Sequence, residues 1–97
     1  MKEIERIKKK IGDGMPALKE RYKVKTFGVF GSCVKGRQRK KSDVDILVEF
    51  EEPISLLEFV ALERQLSELI GKKVDLVMKT ALKPRIGKHI LEEVVYI

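Results

Sequence analysis

Residues 43–50 read Asp-Val-Asp-Ile-Leu-Val-Glu-Phe, and this stretch constrains the fold more than any other. Side chains alternate across a β-strand. Val44, Ile46 and Val48 therefore share one face, while Asp43, Asp45, Leu47 and Glu49 share the other. The first face demands a core. The second brings two carboxylates together from one short segment. Like charges so close repel, and the usual remedies are a cation or a raised pKa. A Mg²⁺ ion held by one or two carboxylates and by substrate phosphates fits this pattern. Taken alone, the pair reads more readily as a hydrated strand start.

The other elements follow from periodicity and punctuation. Ile4, Ile7 and Ile11 recur at helical spacing and predict a helix over residues 2–11, which Gly12-Asp13-Gly14 is expected to interrupt. Pro16 then opens a second short helical piece reaching Tyr22. Val24–Phe30 reads as a strand ended by Gly31-Ser32. Residues 35–42 form a basic polar loop. After Pro53, Ser55-Leu-Leu-Glu58 has the form of a capping box, opening a helix that runs to Ile70 and stops at Gly71. Its expected apolar stripe is Leu56, Phe59, Val60, Leu66, Leu69 and Ile70. Lys73–Met78 is a third strand, and Pro84 opens a last helix through Glu93. The order helix, strand, strand, helix, strand, helix predicts an α/β (α+β) fold, a small mixed β-sheet with helices packed on one face.

At 97 residues the chain suits one domain, residues 1–97, with one modest core. No apolar run approaches the roughly 20 residues of a bilayer span, and no signal peptide follows the basic start, so the expected compartment is cytoplasmic. A single cysteine, Cys33, excludes an internal disulfide, and one His with one Cys cannot build the usual structural zinc site. A metal here would be a hard cation on carboxylates. The net charge of +6 suits an anionic partner, or is a solvated lysine-rich skin. Four Phe and two Tyr without a stacking pattern argue against nucleic acid.

Two further features join the aspartate pair. Gly31-Ser32 follows a strand directly, where glycine allows close approach of a phosphate and serine adds a donor. Asp75 stands in Lys-Val-Asp-Leu-Val, among apolar neighbours where burial is costly without a partner; an edge strand with Asp75 in water is the alternative. The order is Gly-Ser, ten residues (33–42), Asp-x-Asp, then an aspartate thirty residues beyond Asp45. Together with FGVFGSCVKG, KSDVDILVEF, the Ser55–Glu58 helix start, GKKVDLV and ALKPRIGKHILEEVVYI, it resembles the polymerase-beta-like nucleotidyltransferase superfamily, in particular its minimal (MNT) members, over residues 20–97.

The resemblance implies that Gly31, Ser32 and Lys35 bind the triphosphate. It implies that Asp43, Asp45 and Asp75 are catalytic and hold two Mg²⁺ ions, with Asp75 also helping to activate the attacking hydroxyl. ATP would be the substrate and AMP the transferred group. Where family members often carry arginines, this chain has Cys33 and Lys35, and a lysine meets phosphate without the bidentate fork. The basic loop of Arg37, Arg39, Lys40 and Lys41 could steer a triphosphate or stay solvated, and His89 reads as a surface residue. Minimal members resemble antitoxins of toxin–antitoxin pairs (type VII-like) that adenylylate a tyrosine of a helical HEPN-type toxin. The alternative is an antitoxin that neutralises its partner by contact alone. An apolar face on so small a sheet domain also suggests a homodimer or a stable complex.

Overall fold

The computed structural model describes residues 3–31, 43–82 and 84–97. The elements run α1 (Glu3–Tyr22), β1 (Val24–Phe30), β2 (Val44–Phe50), α2 (Leu56–Ile70), β3 (Val74–Met78), a 3₁₀ turn (Lys79–Ala81), α3 (Pro84–Glu93) and β4 (Val95–Tyr96). The sheet order is β3-β2-β1-β4. β1 pairs antiparallel with β2 and with β4, while β2 and β3 run parallel with α2 as their crossover. The mixed α/β class expected from the sequence is therefore the class observed.

The first correction concerns α1, which is one continuous helix through Gly12-Asp13-Gly14 and Pro16. The apolar period explains why. Ile7, Ile11, Leu18 and Tyr22 are buried, with Ile4 and Met15 packed beside them, so one stripe at spacings of three and four runs across the glycines. Gly14 is a packing residue, because a Cβ there would stand 3.2 Å from Leu69 Cδ2 on α2. Pro16 cannot donate to the carbonyl four residues back, which belongs to Gly12. Both residues are exposed, so water can satisfy that carbonyl.

α2 begins as expected. Ser55 Oγ accepts from the Glu58 N–H at 3.1 Å, and the Ser55 N–H donates to Glu58 Oε1 at 3.4 Å. Gly71 closes the helix in the left-handed region at φ 80°, donating to the Ser67 carbonyl at 2.9 Å. Lys10 Nζ from α1 donates to the Ile70 carbonyl at 3.2 Å, placing a cation at the negative end of the helix dipole. The expected apolar stripe needs revision. Leu62, Leu66 and Ile70 form the buried line, whereas Leu56, Val60 and Leu69 are exposed. The expected stripe lacks Leu62, because the run of apolar residues at the helix start obscures the true face.

Core and edges follow from this packing. Phe27, Val29, Val44, Ile46, Val48, Val74 and Leu76 meet the buried sides of α1 and α2 on one face of the sheet. Replacing one such residue, Leu62→Ala for example, would cost about 2–5 kcal/mol. The outer edge of β3 is sealed by α2 side chains: Val74 N–H donates to Ser67 Oγ at 3.0 Å and Leu76 N–H to Glu63 Oε2 at 3.1 Å. The other edge is β4, a strand absent from the sequence expectation. Its signal was the β-branched and aromatic run Val94–Ile97, which looks like a helix tail when read beside α3. A Cβ on Gly28 would collide with Val94 Cγ2, so β4 lies against β1 where a side chain is missing. Among the described residues no helix is long and apolar enough to cross a membrane.

Candidate functional site

Register brings the aspartates together. Asp45 of β2 stands opposite Asp75 of the parallel strand β3. Neighbouring strands lie about 4.8 Å apart, so the two carboxylates leave the same face side by side. Asp43 precedes β2 by one residue. The adjoining Val44 N–H donates to the Lys73 carbonyl at 2.9 Å, which ties the entry of β2 to the entry of β3. On the other side of Asp45, antiparallel register sets Phe30 of β1 as its direct partner. Leu47 follows two residues along the same face. Phe30 and Leu47 are both buried, so Asp45 is half-buried against apolar walls, while Asp43 and Asp75 are exposed.

The electrostatics of Asp45 follow from these neighbours. Burial pushes its carboxyl above the ordinary value of 3.8, and the charges of Asp75 and then Asp43 push it further in the same direction. No described lysine or arginine forms an ion pair with it. Among the described residues, this concentration of negative charge has no cation paired with Asp45.

Gly31 completes the described part of the site. It has φ 78°, and a Cβ would collide with Oδ2 of Asp45. Only glycine both adopts this backbone cheaply and leaves the carboxylate room. Gly31 and the first carboxylate of β2 therefore share one small volume. Ser32 and Lys35, expected to bind phosphate, lie outside the described residues, as do Cys33 and Arg37, Arg39, Lys40 and Lys41. His89 is exposed on α3, as expected of a surface residue.

Among the described residues, no three His, Cys, Asp or Glu side chains enclose an ion by themselves. Mg²⁺ seldom uses such a cage, because it takes one or two carboxylates and draws its remaining ligands from waters and phosphates. An all-oxygen donor set, with no cation paired to Asp45 among the described residues, fits that demand. Sequence reasoning singled out the three aspartates and Gly31. It missed Phe30 and Leu47, which desolvate Asp45, because both look like ordinary strand residues until the register is known.

Comparison with known proteins identifies the family. Residues 15–97 match the family described as Nucleotidyltransferase domain. The chain is 56% identical over 80 residues to the protein adenylyltransferase MntA of Thermococcus cleftensis, covering 82% of this chain and 81% of that one. It is 49% identical over 98 residues, spanning all of both chains, to a Methanocaldococcus jannaschii protein named provisionally as a protein adenylyltransferase. A solved structure described provisionally as a minimal nucleotidyltransferase superposes with TM-score 0.79 at 33% identity, covering 98% of this chain and 95% of the other. The fold also recurs, at 23% identity and TM-score 0.70, in a toxin–antitoxin crystal structure with AMP-PNP, covering 99% of this chain and 72% of that one. It recurs at 19% identity and TM-score 0.63 in a Shewanella oneidensis complex of tri-AMPylated HEPN toxin with MNT antitoxin, covering 99% and 71%. With its aspartates aligned on two parallel strands beside a left-handed glycine, the chain belongs to the nucleotidyltransferase domain family.

Proposed function

We propose that this chain transfers AMP from ATP to a protein partner, a helical toxin of the HEPN type, and so acts as an adenylylating antitoxin. The observation that carries this reading is the half-buried Asp45, raised by burial and by Asp75 and Asp43, beside a glycine whose missing side chain leaves its carboxylate free. Such a cluster is arranged to receive a cation and an anionic substrate together. The identities of 56% and 49% to chains named for protein adenylyl transfer support the same reading.

Asp43, Asp45 and Asp75 would hold Mg²⁺. When bound, the metal would neutralise triphosphate charge and polarise the α-phosphate. The chain's own residues do the rest. Gly31 offers backbone to the phosphates without a side chain between them, and Ser32 and Lys35 would add a hydroxyl donor and a positive charge. Phe30 and Leu47 keep water from one flank of Asp45, which strengthens its electrostatic interactions. A carboxylate oxygen of Asp75 would take the proton of the attacking hydroxyl. As the new oxygen–phosphorus bond forms, the bond to the bridging oxygen breaks and pyrophosphate leaves with that electron pair. ATP supply and the lone Cys33 suit a cytoplasmic setting.

The test is to incubate the chain with Mg²⁺ and ATP labelled at the α-phosphate, together with a helical protein of the HEPN type. Label on that protein, lost with Asp45→Ala, is the expected result. Tight association of the two chains with no label at any time would replace this reading with neutralisation by contact.

A further inference from the structure

Away from the aspartates, β2 and β3 end beside the start of α2. Val48, Phe50, Pro53 and Met78 help to line a cavity of about 270 Å³ there, and Glu49, Glu51 and Glu52 lie on it as well. An apolar cavity of about 150 Å³ takes up benzene, so this one has room for a large side chain. The helix that starts at this end leaves apolar surface uncovered, with Leu56 76% and Leu57 82% exposed. Leu56 and Leu57 follow Pro53, a residue that lines the cavity, by three and four positions in the chain.

We propose that this cavity is a docking site for a basic segment of a partner protein. The segment inserts one large apolar side chain, while its lysines or arginines meet Glu51 and Glu52. Charge selects this occupant. Glu49 already has Lys79 at 3.8 Å, but Glu51 and Glu52 are exposed and have no ion pair among the described residues. The rim is thus acidic on a chain of net charge +6, so it offers a basic segment a local match that the net charge does not. A nucleotide is a poor match, because the carboxylates repel its phosphates. A second copy docked symmetrically would set Glu51 and Glu52 against themselves. Six residue steps separate Val44 from Phe50, roughly 20 Å at strand rise, so an occupant here leaves the aspartate end open. The inference rests on the proposed function in one respect: the protein bearing the acceptor is the expected owner of the segment.

The full chain, isotopically labelled, is titrated with a synthetic amphipathic helical peptide of lysine and leucine bearing one tryptophan; its glutamate-for-lysine counterpart is the control. Amide shifts at Val48, Phe50, Met78 and Thr80 with the basic peptide alone, weakened about tenfold or more by E51K/E52K, are expected. The neutral pair E51Q/E52Q should fall between. Equal binding of both peptides, shifts confined to Asp43–Asp45, or no binding would overturn the proposal. So would ATP shifting the same amides, or a dimer in sedimentation that E51K/E52K dissociates. In the transfer assay, E51K/E52K should raise the KM for the partner protein about tenfold and leave the KM for ATP unchanged. Peptide binding without any transfer would sink the adenylyl-transfer reading and spare the docking site. Transfer with an unchanged partner KM would do the reverse.

Discussion

Asp45 and Glu49 occupy the same face of one strand, four residues apart, and their surroundings are opposite. Glu49 has a cation of its own chain, Lys79, at 3.8 Å. Asp45 has apolar Phe30 across the strand, Asp75 beside it and Asp43 behind it, and every one of these influences disfavours its charge. The difference separates a carboxylate paired with a lysine from one that has no cation beside it among the described residues. Carboxylate identity and strand position are shared; the distinction lies in the counter-charge. Among the described residues, the sheet places a lysine at one end and none at the other, the end at which the proposed function sets a cation and a polyphosphate.

The comparison breaks most sharply in turnover. Asp45→Ala should lower the rate of AMP transfer by about 10³-fold or more, some 4 kcal/mol of transition-state stabilisation. Glu49→Gln should leave it within about twofold, since a neutralised surface group takes no part in the chemistry. Initial rates of label incorporation compare the two, and similar losses would dissolve the contrast. Next in size is Gly31→Ala. The left-handed backbone and the collision with Asp45 Oδ2 should cost about 1–3 kcal/mol. That corresponds to a Tm lower by some 4–8 °C per kcal/mol in a domain this small. An unchanged melting curve would mean that Gly31 and the carboxylate do not share space.

A smaller effect has the opposite sign. Because the folded chain holds the Asp45 carboxyl above its unfolded value of 3.8, it binds that proton more tightly than the unfolded chain does. The associated stability is fully present below 3.8 and is lost as pH rises through the folded value. In metal-free buffer at neutral pH, Asp45→Asn should therefore raise Tm by about 2–4 °C, roughly half a kcal/mol once solvent screening is allowed for. The gain should shrink toward zero as the pH drops below 3.8. Calorimetry across that range reads it directly, and a Tm that falls at neutral pH would contradict the assigned strain. Smallest of all is Lys79→Met, which removes a partly exposed pair at 3.8 Å and should change stability by no more than about 0.5 kcal/mol in urea titrations.

How much of this was legible in the sequence depended on the range of the interaction. The capping box Ser55–Glu58, the left-handed stop at Gly71 and the alternation of Val44, Ile46 and Val48 are local, and each appears as read. Asp43 and Asp45 stand out by strand alternation and Asp75 as an acid among apolar neighbours, and the resemblance to the nucleotidyltransferase superfamily joins the three. What failed was set by partners distant in the chain. Gly12 and Gly14 suggested a break, but Leu69 on another helix makes Gly14 a point of close approach within a continuous one. Leu56 and Val60 looked like core because apolar residues crowd the helix start, and only packing against β1–β3 chose Leu62 instead. The desolvation of Asp45 by Phe30 depends on antiparallel register, which no local pattern encodes. Lys79 as the counter-ion of Glu49 lies beyond a whole crossover helix.

The pairing of Gly28 with Tyr96 has a consequence for the order in which the chain assembles. Their separation is 96 − 28 = 68 residues, against 15 for Phe30 with Asp45 and 30 for Val44 with Val74. Closing a longer loop costs more entropy, and β4 returns only two ladder positions and one flanking bond from the Ile97 N–H to the Phe27 carbonyl at 3.0 Å. The hairpin and the crossover unit can therefore form first, with β4 closing on β1 last and releasing it first. Amide exchange would then divide the sheet unequally, with β1–β3 reporting global unfolding and Tyr96 and Ile97 a cheaper local opening. The sheet face that carries Asp45 gains its outermost strand only at the end of folding.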